Sequence, residues 1–126
     1  SEWVYVQAAA ALAIYSSLAI DENFQASLVT TALAAAGYSI GFNQVAFADN
    51  DMGWVCTHAP GNINVRLLNS CAADVQLYTS GTAGILDDTS AGVTLIRGVV
   101  AVVAASNTAV GYREAIAVYP SGTATP

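Results

Sequence analysis

Apolar and polar residues alternate with a period of two in several short runs, a pattern typical of strands that bury one face. Turn-forming residues at 49–53 and 59–62 separate these runs in the middle of the chain. With chain reversals near Asn50 and Pro60, the alternation predicts a three-stranded antiparallel meander. Its buried face carries Val45, Phe47, Trp54, Cys56, Ile63, Val65 and Leu67, and its outer face carries Asn43, Val55, Thr57, Asn64 and Arg66.

The second half of the chain predicts two further strands before a final one. Val75 and Leu77 alternate with polar neighbours, which indicates a half-buried strand. The nearly continuous β-branched run at 93–104 predicts a strand that is buried on both faces. The remaining segments are a surface loop over 79–92, a turn at 106–107, a last strand over 111–119 and a loose tail over 120–126.

The N-terminal third combines strand and helix signals. Apolar residues recur two apart between Leu12 and Ile20 and predict a strand, although the alanine-rich composition of 8–13 favours a helix. Residues 27–36 predict a short helix that ends at Gly37. Its start can be capped by Ser27 or Thr30.

These elements predict a mainly β protein: a small β-barrel or β-sandwich of antiparallel strands with one short helix. Residues 1–7 alternate outside any obvious hairpin, so we expect an extended N-terminal arm. A single β domain then spans 8–119, and 120–126 form the C-terminal tail. No segment approaches the roughly 18 to 20 apolar residues that a transmembrane helix needs.

Charge is scarce for a chain of 126 residues: 10% of the residues are charged, no lysine is present, and the formal net charge is −6. Since ordinary soluble domains carry about a quarter charged residues, such a surface favours association with neighbouring molecules. The charge balance argues against nucleic acid and against anionic membranes as partners. The interface candidates are the aromatic residues Trp3 and Tyr5 and the three arginines, Arg66, Arg97 and Arg113.

The sequence contains no convincing catalytic or metal-binding pattern. His58, the only histidine, lies about 7 Å along a strand from Cys56, which is too far for a nucleophile and its base. The turn at 49–53 lacks the later carboxylate of a calcium loop. Asp87 and Asp88 could hold a cation with Asp74 only if the fold gathers them. We therefore predict no enzyme activity, no cofactor, no metal site and two buried thiols, Cys56 and Cys71.

Five short motifs occur in the middle of the chain, at Gly41–Ala46, Gly53–Val55, Ala72–Ser80, Gly84–Asp88 and Ile96–Val99. They resemble motifs of the small head decoration proteins, or cement proteins, of tailed bacteriophages. In that family a Gly-Trp-Val strand, a Thr-Ala-Gly-Ile-Leu-Asp loop and a later Gly-Val strand recur in this order. The similarity covers about residues 37 to 104. One departure is that residues 56–60 intervene before Gly61, whereas many relatives place glycine soon after the tryptophan strand.

The resemblance implies a trimeric β-barrel or β-sandwich on the outer surface of the virion, made in the host cytoplasm. Such proteins bridge adjacent major capsid proteins, so the major capsid protein is the expected partner. We expect the arm at 1–7 to contact it, and the loop at 79–92 to face a partner or solvent. Two alternatives stay open: a coat or surface-layer subunit that self-assembles, and a small ligand-binding, lectin-like β-barrel.

Overall fold

A computed structural model describes residues 2–68, 71–88, 93–102 and 111–122. It confirms a mainly β protein with one short helix, consistent with a small β-barrel or sandwich. The elements are β1 (Glu2–Ala8), β2 (Ser17–Ile20), β3 (Gln25–Leu28), α1 (Thr31–Ala35), β4 (Ser39–Asn43), β5 (Met52–Leu67), β6 (Gln76–Thr79), β7 (Leu86–Asp87), β8 (Leu95–Ala101) and β9 (Gly111–Gly122).

Strand pairing in the N-terminal half forms a circuit of five strands. β1 pairs with β3 in parallel, and the antiparallel pairs β3–β2, β2–β4, β4–β5 and β5–β1 complete the circuit. The interior of this circuit is tightly filled, since a Cβ added to Gly41 would lie 2.8 Å from Cγ2 of Val55. Its buried side chains are Val6, Ala8, Leu12, Leu18, Ile20, Ala26, Phe47 and Val55.

A second circuit of pairings involves the C-terminal strands. β5 pairs antiparallel with β9, the pairs β9–β8, β8–β6 and β6–β7 are also antiparallel, and a parallel β7–β5 contact completes the circuit. Both circuits share β5, which is 16 residues long. The second core includes Ile63, Val65, Leu67, Cys71, Leu77, Leu86, Ile96, Val99 and Ala117.

The shared strand is buried on both faces where the two circuits meet. Val55 belongs to the first core and the next residue, Cys56, to the second, because successive side chains of a strand point to opposite faces. β2 shows the same division, with Leu18 in the first core and Ala19 in the second. Strands with two buried faces therefore separate the two cores.

The predicted meander is right at its first turn and wrong at its second. Asn50 has φ 68°, and the backbone N–H of Asp51 donates to the carbonyl of Ala48, which confirms the first reversal. The reversal near Pro60 does not occur. β5 instead continues through a bulge, where three residues between Ala59 and Ile63 lie opposite a single residue of β9. A bulge accommodates proline because the residues it adds need not donate to the ladder.

The assignment of faces in the meander is right for Phe47, Cys56, Ile63, Val65 and Leu67, which are buried, and wrong for several other residues. Val45, predicted to be in the core, is exposed, and Thr57, predicted to face outward, is buried. Asn43 and Val55, predicted to face outward, are fully buried, whereas Trp54, predicted to be in the core, is exposed. The reason is that the meander does not stand alone. β5 pairs with strands of both circuits and contributes Val55 to the first core and Cys56 to the second, so no single face of this strand is the buried one.

The short helix is confirmed, but it begins later than predicted. Thr30 is the N-cap, and its Oγ1 accepts a hydrogen bond from the backbone N–H of Leu33 at 3.2 Å. Gly37 follows the helix with φ 87°. Ser27, the other candidate cap, lies in β3. Among the described residues, no helix has the length and apolar character needed to span a bilayer.

Three predictions for the C-terminal half need correction. The segment at 79–92 is not wholly a surface loop, since Ile85 and Leu86 are buried and β7 joins the sheet. β8 is buried mainly on one face, with Val100 exposed, because only its inner face meets the second core. The predicted tail begins inside a strand, as β9 extends to Gly122. Residues 89–92, 103–110 and 123–126, including the predicted turn at 106–107, lie outside the described part of the chain.

The N-terminal segment is extended, as predicted, but it is a strand of the sheet rather than a separate arm. Residues 2–7 pair antiparallel with β5 between Met52 and His58. Gln7 and Ala8 also pair in parallel with β3. Val6 and Ala8 are fully buried in the first core. The segment has the alternation of a strand that adds to a sheet, and the sheet to which it adds is that of its own chain.

Candidate functional site

Large apolar side chains stand exposed along β1 and the start of β5. Trp3, Tyr5 and Trp54 are 42%, 46% and 57% exposed, and Met52 and Val45 are more than half exposed. We call these five residues the aromatic surface. Exposed apolar groups that lie together mark interaction sites on soluble proteins, whereas scattered ones do not.

The pairing of β1 with β5 places the aromatic rings together. Tyr5 lies directly opposite Trp54 in the antiparallel register, and their ring centroids are 5.0 Å apart with an interplanar angle of 63°. This edge-to-face geometry is favourable for aromatic pairs. Trp3 lies two residues before Tyr5 on the same face of β1, because strand side chains alternate. The rings are thus held on rigid strands rather than on a loop.

A cleft adjoins the aromatic surface and shares Trp3 with it. The cleft has a volume of about 330 Å³ and contains two carboxylates, those of Glu2 and Asp21. Phe24 lies in its wall and is 59% exposed. We call it the acidic cleft. The rest of its lining is Val4, Ile20, Ser39, Ile40, Thr57 and Pro120.

The turn between β2 and β3 fixes one carboxylate of the cleft. Oδ1 of Asp21 accepts hydrogen bonds from the backbone N–H groups of Asn23 and Gln25, each at 2.9 Å. The same turn holds Phe24 at φ 59°, a left-handed conformation that bulky residues seldom adopt. Asp21 and Phe24 are therefore positioned by the backbone before any ligand arrives.

The two predicted interface arginines whose side chains are described, Arg66 and Arg97, lie away from these features. Arg97 is exposed on β8, and Arg66 is half-buried on β5. The Nε atom of Arg66 is buried and has no hydrogen-bond partner among the described residues. Neither side chain lines the acidic cleft. Arg113 lies opposite Val65 in the β5–β9 register, and its side chain is outside the described part of the structure. Among the four candidates whose side chains the structure describes, Trp3 and Tyr5 lie together on β1.

Cys56 and His58 do not have the arrangement of a nucleophile and its base. Cys56 is fully buried, and its thiol donates to the backbone carbonyl oxygen of His58 at 3.4 Å. Burial raises the pKa of the Cys56 thiol above its usual value. A neutral, enclosed thiol is a poor nucleophile, so its chemistry fits a core side chain.

Cys71 lies between β5 and β6 in the chain and is close to two aspartates. Its Sγ and the carboxylate oxygens of Asp87 and Asp88 lie within 4.8 Å of one another, whereas Asp74 is not part of this group. Burial, followed by the charges of Asp88 and Asp87, raises the pKa of the Cys71 thiol to about 12. Oδ2 of Asp88 accepts a hydrogen bond from the backbone N–H of Ala72 at 3.0 Å. The thiol is therefore protonated at neutral pH, and Asp88 anchors the adjacent backbone.

Sequence reasoning found Trp3 and Tyr5 but missed Trp54 and the acidic cleft. In an isolated hairpin, alternation places Trp54 on the buried face. Only the structure, in which β1 pairs with β5, shows that Trp54 is exposed. The cleft joins Glu2 to Asp21 and Pro120, residues that are far apart in sequence. One local signal was available, namely an apolar Phe24 within the polar turn after β2. Comparison with protein-family models and with curated proteins yields no match to this chain.

Proposed function

We propose that this chain is a structural virion protein that binds the outside of a phage capsid and stabilises it by bridging major capsid proteins. The observation that carries the proposal is the aromatic surface, in which Trp3, Tyr5 and Trp54 stand exposed on adjacent strands. Tryptophan and tyrosine are the residues most enriched at the energetic centres of protein interfaces. We propose the capsid as the partner because short motifs of the chain resemble those of head decoration proteins.

The rigidity of the aromatic surface supports a binding role. The Tyr5–Trp54 pair is held by an antiparallel register that runs from Glu2 to Gln7. Because these side chains are already ordered on strands, binding costs less conformational entropy than it would on a mobile loop. We propose that residues 1–7 meet the capsid through Trp3 and Tyr5 of this surface, rather than as a free arm.

The sparse charge of the chain supports close packing with neighbours. With no lysine and three arginines, copies can pack together without desolvating many charges. We therefore propose a homotrimer on the virion surface, as in the family that the chain resembles. This role requires no catalytic group and no cofactor.

Co-sedimentation with undecorated heads, assembled from the major capsid protein of the same phage, tests the proposal. We expect wild-type protein to saturate the heads and to raise their melting temperature. A triple variant, Trp3→Ala, Tyr5→Ala and Trp54→Ala, should lose most of its occupancy. A matched control, Val100→Ala with Val102→Ala, removes exposed apolar atoms from β8 and the residue after it, and should bind like wild type. Wild-type occupancy by the triple variant, with its circular dichroism unchanged, would refute the role of the aromatic surface.

A self-assembling coat or surface-layer subunit is the second candidate, since the same charge-poor exterior suits it. Electron microscopy of the purified protein at high concentration separates the two functions. Shells or sheets formed from this chain alone would favour the second candidate. Discrete particles that decorate added heads would favour the first.

A further inference from the structure

We infer that the acidic cleft is a binding site for a cationic side chain, specifically the guanidinium group of an arginine presented by a partner protein. The inference deepens the proposed function, on which the identity of the partner as a capsid protein rests. The arginine chemistry itself rests on the cleft. Binding of arginine to the cleft can therefore be tested on the isolated chain.

The size and lining of the cleft suit one side chain. Its volume, about 330 Å³, is at the lower end of the range of ligand pockets, which is roughly 300 to 1,000 Å³. The partly buried Val4 and the largely exposed Phe24 supply apolar surface for an aliphatic stem. Glu2 and Asp21 supply negative charge for the head group. An arginine has this combination of an apolar stem and a charged end.

The charge of the cleft is not neutralised by its own lining. Glu2 and Asp21 are its titratable residues, and no lysine, arginine or histidine lines it within the described residues. His58 is the register partner of Glu2 on β5 but is outside the lining. Oδ1 of Asp21 is engaged by two backbone N–H groups, so Oδ2 is the oxygen that a ligand would contact. Two carboxylates in one partly enclosed cleft attract a cation from outside.

The exposed ring of Phe24 favours guanidinium over ammonium. A cation within about 6 Å of an aromatic ring is attracted by its negative face, and the planar guanidinium also stacks on such rings. Arginine can donate two parallel hydrogen bonds to one carboxylate, which lysine cannot do. The left-handed backbone at Phe24 holds its ring largely exposed beside Asp21.

Charge complementarity points to a partner other than a second copy of this chain. Each copy has a formal net charge of −6 and only three arginines, so a second copy offers few cations to the cleft, whereas the proposed homotrimer packs through charge-poor surfaces. A capsid surface that presents arginine beside apolar residues would engage the cleft and the aromatic surface together, because Trp3 belongs to both. Trp3 is thus the link between the charged and the apolar parts of the interface.

The test is a nuclear magnetic resonance titration of the full, ¹⁵N-labelled chain with N-acetyl-arginine amide. We expect saturable shifts of the backbone amides of Trp3 and Phe24, two residues that line the cleft. N-acetyl-citrulline amide has nearly the same shape without the charge, and it should bind at least about tenfold more weakly. Equal binding of the two compounds, or shifts confined to other residues, would overturn the inference.

Matched variants locate the site. Glu2→Gln with Asp21→Asn should weaken arginine binding by about tenfold, and the amide introduced in place of Asp21 keeps an oxygen that can accept from the turn. Glu22→Gln removes the same charge from the same turn, outside the cleft, and should leave affinity unchanged. Phe24→Gly removes the ring while relieving the left-handed backbone, so the variant should keep the wild-type circular dichroism spectrum and bind arginine more weakly. Unchanged affinity in both cleft variants would contradict the inference.

The outcomes separate this inference from the proposed function. Specific arginine binding by a chain that ignores phage heads would support the cleft and refute the capsid role. Full occupancy of heads by the Glu2→Gln, Asp21→Asn variant would support the capsid role and refute the cleft as its arginine site. Concentration-dependent shifts without ligand, abolished by Arg97→Gln, would identify a second copy as the occupant and overturn the inference of a different partner.

Discussion

Replacement of the buried Asn43 by alanine should be among the most damaging polar substitutions in this protein. The side chain is fully buried at the end of β4. Its Oδ1 accepts from the backbone N–H of Ser16 at 2.9 Å, and its Nδ2 donates to the carbonyl oxygens of Ala13 and Val45, each at 2.8 Å. One amide therefore ties the segment before β2 to the end of β4.

The magnitude follows from which partners lose their hydrogen bonds. The carbonyl of Ala13 also accepts from the Oγ of Ser16, so it keeps a partner in the variant. The N–H of Ser16 and the carbonyl of Val45 lose their Asn43 contacts. With about 1 kcal/mol for each of three bonds, the free energy of unfolding should fall by about 3 kcal/mol. That is a large share of the roughly 5 to 15 kcal/mol that stabilises a domain.

Urea denaturation followed by far-ultraviolet circular dichroism measures this loss. The transition midpoint of Asn43→Ala should fall with an unchanged slope. Asn23→Ala is the matched control, since Asn23 is exposed and its backbone N–H, which the substitution keeps, is the group that donates to Asp21. The control should stay within about 0.5 kcal/mol of wild type. A loss below about 1 kcal/mol for Asn43→Ala would show that the amide does not hold the two segments together.

An aspartate at the same position provides an independent check by pH. Asn43→Asp replaces the donor Nδ2 by an oxygen that faces two carbonyl oxygens. Burial and these contacts raise the folded-state pKa of the new carboxyl above its unfolded value, so the variant should lose stability as pH rises. Urea midpoints at pH 4 and pH 7 measure the change. A variant more stable at pH 7 than at pH 4, relative to wild type, would contradict the assigned amide orientation.

Three further predictions follow from single sites. Ser17→Ala should leave the free energy of unfolding unchanged or raise it by up to about 1 kcal/mol in urea denaturation, because the Ser17 hydroxyl is buried with no hydrogen-bond partner within the described residues. A fall of more than about 1 kcal/mol would show that the hydroxyl has a partner. Gly122→Ala should prevent stable folding, since its Cβ would overlap the backbone carbonyl of Ala34, whereas Gly81→Ala, with open space around it, should melt near wild type. The pKa of the Cys71 thiol is about 12 rather than 9.0, so Cys71 should react with iodoacetamide at pH 8 about a thousandfold more slowly than an ordinary thiol. Labelling in urea should restore the normal rate. Rapid labelling of the folded chain would contradict the burial of this thiol.

Features that depend on neighbouring residues were predictable from the sequence. The reversal at Asn50 and the helix between Thr30 and Gly37 follow from side chains and backbone preferences within a few residues. The mainly β fold follows from the recurring alternation along the chain. Trp3 and Tyr5 were recognisable as candidates because each lacks a local apolar partner.

Features that depend on distant strands were not predictable. Whether Trp54 or Val55 is buried depends on β1, which is about fifty residues away and pairs with β5 to close the first circuit around Val55. Whether Pro60 turns the chain depends on β9, whose register absorbs the added residues in a bulge. The acidic cleft likewise needs Glu2, Asp21 and Pro120 in one place.

The sequence by itself determined the strand-rich class, the local turns and caps, and a charge-poor composition that favours association. The tertiary structure alone decided that β5 is shared by two strand circuits, which side chains are exposed on it, and where carboxylates meet aromatic rings. The physical reason is that alternation defines two faces of a strand but cannot say which is covered. Coverage depends on strands that are paired across long sequence separations, and here it leaves Trp3, Tyr5 and Trp54 facing outward.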